Sequence, residues 1–430
     1  MELKPGYKQM EVGTIPSDWV VKSLGELGRF KNGINKTADD FGHGHPFVNL
    51  LDVFGVSKLK ANGSDFGLVN SNDSERRTYE LKRGDVLFVR SSVKPEGVGL
   101  TTLIHDDLPD AVFSGFLLRF RDRGELVTEY KEHCFLQEGF RRSLIANSTV
   151  SANTNVNQNA LKKLYIWFPP EKSEQSAIAE ALGDVDALLA GLDKLIAKKR
   201  DLKQAAMQQL LTGKIRLPGF ELKAGVKKTD AGVIPEDWDV SPVGREFDVQ
   251  LGKMLDAEKN IGELKPYLGN RAVQWNQIDV NDLPLMRMTR SDIERFRLRK
   301  GDLLVCEGGE VGRAAIWDEP IEECYYQKAL HRLRPLRGFD SRLMVEMLHL
   351  WSDVGILVNY VTQTSIAHFP REKFLEVPMP VPPLPEQSAI AEVLSDMDAE
   401  LAALEAQRDK TRLLKQGMME ELLTGKTRLI

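Results

Sequence analysis

Residues 174–214 read EQSAIAEALGDVDALLAGLDKLIAKKRDLKQAAMQQLLTGK, and residues 386–426 read EQSAIAEVLSDMDAELAALEAQRDKTRLLKQGMMEELLTGK. The second block lies 212 positions after the first at both ends, with no gap. Each block closes a larger and less similar segment. A repeat of this period constrains the fold before any local pattern does. The chain is two half-molecules in tandem, each ending in the same long helix.

The shared helix has clear boundaries. Phe168-Pro169-Pro170 and Val381-Pro382-Pro383-Leu384-Pro385 break the chain ahead of it. Glu174 and Glu386 fall in its first turn, where negative charge suits the helix dipole. Gly213-Lys214 and Gly425-Lys426 stop it. Its length predicts a rod of roughly 57 Å at about 1.5 Å per residue. One face carries Ile178, Leu182, Val185, Leu189, Leu192 and Ile196 in the first copy. The second carries Ile390, Leu394, Met397, Leu401 and Leu404, then weakens at Arg408 and Thr411. Steps of four and three describe a coiled-coil seam. A helix this long needs a partner for that stripe, and its own repeat is the nearest one. Antiparallel pairing, with an internal pseudo-two-fold, is the expectation.

The openings of the two halves also repeat. GYKQMEVGTIPSDWVV (6–21) matches GVKKTDAGVIPEDWDV (225–240). Ile-Pro-x-Asp-Trp reads as an extended entry to a turn, because proline pushes the preceding residue out of the α region. Trp19 and Trp238 read as core anchors beneath it. Short apolar runs follow, such as Phe47–Leu50, Asp85–Val89 and Phe116–Phe120, punctuated by Gly, Asn and Asp. These indicate mixed domains of short strands. Helical spacing of Leu126, Tyr130, Cys134, Leu136 and Phe140 predicts a helix over 125–145. LKRGDVLFVR (81–90) returns as LRKGDLLVCE (298–307), a tight turn into a buried strand. Beyond that strand the copies diverge: RSSVKPEGVG (90–99) against EGGEVGR (307–313), and STVSANTNVNQNALKKL (148–164) against QTSIAHFPREKFLEV (363–377). A scaffold that repeats while its loops differ suits two domains that read two different targets.

Composition excludes several classes. With 42% hydrophobic and 28% charged residues among 430, the chain reads as globular domains. No apolar run would cross a bilayer, and the N-terminal stretch lacks a signal-peptide core. Cys134, Cys306 and Cys324 are few, odd in number and without metal-ligand spacing, as in a reducing cytosol. The net charge of −5 means that any nucleic-acid surface must be local.

Together the twin Pro-Pro…Glu-Gln-x-x-Ile-Ala-Glu helices ending in Leu-Leu-Thr-Gly-Lys and the twin Ile-Pro-x-Asp-Trp entries resemble the specificity subunit of type I restriction–modification enzymes. The Gly-Asp-(Val/Leu)-Leu strand resembles that family's recognition domains, and the resemblance covers essentially the whole chain. It implies an α+β fold with two target-recognition domains, over 1–172 and 221–384. Two spacer helices, over 173–220 and 385–430, would form an antiparallel coiled coil. It implies a cytoplasmic, non-catalytic subunit that reads a bipartite site in double-stranded DNA, one domain per half-site. Two methylation subunits would dock on it, and restriction/translocase subunits would join through them. No cofactor would reside in this chain; S-adenosylmethionine, ATP and Mg would belong to the partners. Spacer length would set the gap between half-sites.

Catalytic motifs are not assembled. The Pro-Pro pairs precede Glu171 and Leu384, so neither forms the Asn/Asp-Pro-Pro-Tyr/Phe pocket of an adenine methyltransferase. Gly425-Lys426-Thr427 has Glu420 where a phosphate loop needs glycine. Pro109-Asp110 with Glu129-Tyr130-Lys131 matches a loose nuclease pattern, in which carboxylates hold a metal that activates water. That pattern underlies the alternative of a stand-alone metal-dependent nuclease; a coiled-coil scaffold that binds no DNA is the other. His43 and His45 have no further ligands nearby in the sequence and read as loop residues.

Base reading needs Arg or Lys for guanine and Asn or Gln for adenine, and other polar groups hold phosphates. The loop candidates in the first half are Arg90, Ser91, Ser92, Lys94, Asn153, Asn155, Asn157 and Gln158. Those in the second are Arg290, Glu307, Arg313, Thr364, Ser365 and His368. Asn155 and His368 match when the Pro-Pro pairs are aligned. The run Arg287, Arg290, Arg295, Arg297, Arg299 and Lys300, with Arg119, Arg121, Arg141 and Arg142, is either a phosphate track or an ordinary charged face.

Overall fold

A computed structural model describes residues 5–10, 13–62, 65–220, 225–256, 260–363 and 367–429. The chain divides into two compact units: residues 1–193 with 406–430, and residues 194–405. The fold is α+β, and each unit combines a mixed domain with half of each long helix.

The first unit is built on a five-stranded sheet. Its order is Gly28–Asn32, Leu117–Asp122, Val86–Val89, Thr101–Ile104 and Lys58–Leu59. Val86-Leu87-Phe88-Val89 is buried on both faces, as an uninterrupted apolar run demands. Phe30, Phe88, Phe120 and Phe135 interlock on one face. Val20–Ser23 pairs antiparallel with Tyr165–Phe168 and closes the domain.

The second unit repeats the arrangement. Phe247–Leu251, Leu330–Pro335, Leu303–Cys306 and Ala314–Ile316 form its sheet in the matching order. Asp239–Pro242 pairs with Pro378–Val381. In both units the Gly-Asp turn has one cause. Gly84 and Gly301 hold a φ of +88°, open to glycine. The next residue, Asp85 or Asp302, caps the turn by accepting from the amide of Lys82 or Arg299. The same carboxylate holds an arginine of the neighbouring strand, Arg121 or Arg334.

The long helices run from Lys172 to Leu210 and from Leu384 to Leu422. In the first unit Asp186 pairs with Lys415 and Asp193 with Arg412. In the second, Lys199 pairs with Glu400 and Lys203 with Asp398. The contacts rise along one helix as they fall along the other, so the helices pack antiparallel in each unit. Ile178, Leu182, Leu192, Ile196, Ile390 and Leu394 are buried. Val185, Leu189, Met397, Leu401 and Leu404 are half-buried.

The two repeated motifs meet in a clamp. In the second unit Arg216, just past the first helix, donates to Glu386 at the start of the second helix and to Asp237 of the entry turn. Trp238 Nε1 donates to the same Glu386 at 2.9 Å. In the first unit Arg428 donates to Glu174 and Asp18 in the same way. Gly213 and Gly425 adopt φ of +66° and +71° against Pro235 and Pro16. A Cβ on either would lie 2.4 Å from the proline ring. Gln175 and Gln387 follow the clamp glutamates, and each ties its helix to the proline break through Pro169 O or Pro382 O.

The helix expected over 125–145 is interrupted. Glu129–Glu132 and Cys134–Leu136 are 3-10 turns, and the α-helix runs only from Glu138 to Ala146. Residues 130–135 are buried on every side. Tertiary packing, not helical periodicity, sets their backbone.

Candidate nucleic-acid interface

In the first unit the buried strand Val86–Val89 delivers Arg90 to the loops. The Arg90 amide donates to Phe116 O, its carbonyl accepts from Val156 N, and its guanidinium reaches Gly115 O at 3.2 Å. Ser91-Ser92 then pairs with Thr154-Asn155, which pairs in turn with Thr149-Val150. This small sheet brings Ser91, Ser92, Asn153 and Asn155 together, with Lys94 exposed beside them. Asn155 donates to Asn153 O at 2.9 Å.

Asn157 and Gln158 have other roles. Asn157 caps the helix Gln158–Lys163 by accepting from Ala160 N. Gln158 meets Asn32 at the edge of the large sheet, 2.8 Å away. An apolar rim that sequence reasoning missed borders the cluster. Leu51, Phe54, Val93 and Phe116 are exposed around a groove of about 620 Å³ shared with Ser91, Ser92 and Asn153. Phe116 reads as the start of a buried strand. Only Val93, an apolar residue in a polar loop, offered a signal.

The second unit holds Glu307 as the first holds Arg90. Its amide donates to Ala329 O and its carbonyl accepts from Phe369 N. Gly308 bridges His368, as Ser91 pairs with Asn155, so the two loops share a register. Burial pushes the Glu307 carboxyl above its usual range, opposed by the charge of Lys328 and of nearby His368. Arg313 is a brace, donating to Asn270 O at 2.9 Å and to Glu310 at 3.2 Å. Asn270 also donates to Gly308 O, and Trp275 to Glu310. Arg290 opens the helix Arg290–Phe296 with an almost wholly exposed guanidinium. Thr364 and Ser365 lie outside the described residues.

Most other basic candidates are held internally. Arg287 donates to Gly262 O and Arg297 to Glu322 O, while Arg295 covers the Phe296 ring. Arg121 is tied to Asp85 and Glu80, Arg141 to Glu96 O and Arg142 to Glu138.

The nuclease-like residues are committed to other partners. Lys131 is buried and donates to Asp122 and Gly84 O. Glu129 pairs with Arg83 and Asp110 with Arg76. His45 contacts Arg76 at 3.3 Å. Among the described residues no group of three or more His, Cys, Asp or Glu is placed to hold a metal ion, and no helix is long and apolar enough to cross a membrane.

The family model for the type I restriction modification DNA specificity domain matches residues 16–199 and again 235–412. A protein described as the MjaX type I restriction enzyme specificity subunit of Methanocaldococcus jannaschii is 27% identical, over 98% of this chain and 97% of its own length. The MjaVIII specificity subunit of the same organism is 22% identical, over 98% and 96%. The crystal structure of a type I restriction–modification S subunit from M. genitalium matches with a TM-score of 0.58 at 14% identity, over 98% of each chain.

Proposed function

We propose, from the premise that this chain belongs to the type I restriction modification DNA specificity family, that it selects the DNA sites on which a methylation and restriction complex acts. It is the recognition subunit, not the methylating or cleaving enzyme. Each specificity domain reads one half of a bipartite site in duplex DNA. The domains span 1–172 and 221–384, with spacer helices over 173–220 and 385–430. Two methylation subunits dock on the chain, restriction subunits join through them, and S-adenosylmethionine, ATP and Mg serve those partners in the cytoplasm.

One observation carries this reading. The buried strand, its Gly-Asp turn and its exit register are the same in both units, while Arg90, Ser91 and Asn155 in one stand where Glu307, Gly308 and His368 stand in the other. A fixed frame that presents different polar groups is what two half-sites require, since base edges are told apart by donor and acceptor pattern. Arg90, Ser91, Ser92, Lys94, Asn153 and Asn155 read the first half-site, with Asn157 and Gln158 supporting them. Glu307, Arg290, Thr364, Ser365 and His368 serve the second, with Arg313 as support.

Mapping methylated adenines genome-wide, with and without this chain, tests the reading. The methylated set should vanish without it, and Arg90→Ala should relax or abolish one half-site only. A set that persists without the chain overturns the reading. Equal weakening of both half-sites makes Arg90 a phosphate contact or a structural residue.

A further inference from the structure

The two units differ in charge along one pair of strands. In the second unit Asp248 lies opposite Arg334, and Gln250 opposite Arg332. Asp248 pairs with Arg332 at 2.6 Å, and Asp302 takes Arg334. In the first unit the same positions are Arg29 opposite Arg121 and Lys31 opposite Arg119. Like charges directly across a sheet are destabilising, so folding alone favours the arrangement of the second unit.

The carboxylates near this basic ribbon are already engaged. Asp85 and Glu80 are bound by Arg121, with Glu80 shared by Lys82. Asp122 is bound by buried Lys131. Among the described residues no carboxylate pairs with Arg29, Lys31, Arg119 or Arg123. Arg119 donates to Glu80 O, but its buried Nε has no partner, and burial beside Arg121 lowers its hold on its proton. Arg29, Lys31, Arg119, Arg121 and Arg123 line one groove of about 470 Å³, together with the Lys131-bound Asp122.

We infer that this groove binds the DNA phosphate backbone next to the first half-site, an assignment that rests on the DNA-recognition reading. The ribbon leads towards the reading loops: its strand Gly28–Asn32 ends at Asn32, which holds Gln158, and its neighbour starts beside Phe116, which holds the Arg90 amide. Residues two apart on a strand are about 6.7 Å apart, about the rise of two base pairs along the axis of a duplex. The contact fixes position and carries no sequence information.

The test is Arg29→Asp with Lys31→Gln, which copies the side chains found in the second unit. The full chain, in complex with its methylation partners, is titrated with a random-sequence duplex across a salt series. Each lost phosphate contact should flatten the plot of log affinity against log salt by about 0.9, so the pair should flatten it by about 1.8. The methylated sequences should not change. Arg29→Gln with Lys31→Gln should give the same slope, which guards against misfolding in the first variant. An unchanged slope in both variants, or a changed set of methylated sequences, overturns the groove assignment alone. If the wild-type complex binds no duplex, the DNA-recognition reading fails and the groove with it.

Discussion

The clamp at Trp238 and the clamp at Trp19 use the same side chains, yet water reaches them differently. Arg216, Asp237 and Glu386 are 9%, 10% and 0% exposed, whereas Arg428, Asp18 and Glu174 are 25%, 57% and 5% exposed. Trp238 Nε1 completes the second clamp by donating to Glu386, while the buried Trp19 Nε1 has no partner among the described residues. The difference teaches that identical motifs need not be worth the same. An ion pair is costly to break where the remaining charge stays buried, and much less so where solvent can take over.

The largest expected effect follows directly. Arg216→Ala leaves Glu386 buried without its cation and should destabilise the second unit by about 3–5 kcal/mol. Arg428→Ala should destabilise the first by less, since Asp18 regains water and only Glu174 stays buried. Hydrogen exchange resolved by peptide separates the units. Equal losses would show that exposure does not set the difference between the clamps.

A second comparison lies midway along the helices. In the second unit Lys203 bridges Asp398 and Glu346, both within 3.0 Å. In the first unit Lys415 pairs with Asp186 at 2.6 Å, and buried His133 senses both. The two domain residues titrate in opposite senses. Burial drags His133 down to about 4, against the pull of Glu132. Its contribution to stability is present above its ordinary value of 6.5 and is lost as pH falls towards 4. Burial pushes Glu346 up, against Lys203 and with Asp398 adding to the rise. Its contribution is present below the ordinary 4.5 and is lost as pH rises through the raised value. Acidification should therefore open the first unit and tighten this part of the second, as read by exchange at a series of pH values. His133→Gln and Glu346→Gln should each flatten the slope of their own unit. Slopes of the same sign would refute the comparison.

These contrasts also mark what the sequence could disclose. The long helices were legible because a gapless repeat and an apolar stripe are local signals. The role of the Asp in Ile-Pro-x-Asp-Trp was not, because its partner Arg428 lies 410 positions from Asp18. The 3-10 turns within 129–136 escaped because residues 130–135, buried on every side, imitate helical spacing. Among the loop residues, Asn157 and Arg313 look like base readers by type. Only backbone geometry shows one capping a helix and the other bracing Asn270. The apolar rim at Leu51, Phe54, Val93 and Phe116 was hidden for the converse reason: apolar letters read as core until the fold exposes them.

The smallest predicted effect concerns the helix surface. Lys199 and Glu400 form a pair in the second unit, with side chains 30% and 48% exposed. At the repeat-equivalent positions, 212 residues away, the first unit carries Thr411 and Leu188. The neighbouring pair survives in both, as Arg200 with Glu405 and as Arg412 with Asp193. One copy thus packs with the Lys-Glu pair and the other without it, which marks the pair as dispensable. Exposed pairs contribute about 0.2–1 kcal/mol, and salt screens them. Lys199→Thr with Glu400→Leu should change stability by less than about 1 kcal/mol, and the small loss should disappear at high salt. A loss of several kcal/mol that salt does not erase would mean that Lys199 and Glu400 act with the buried Lys203–Glu346 pair nearby. The weakly and strongly held parts of the second unit would then be one network, and the contrast with the first unit would have to be redrawn around it.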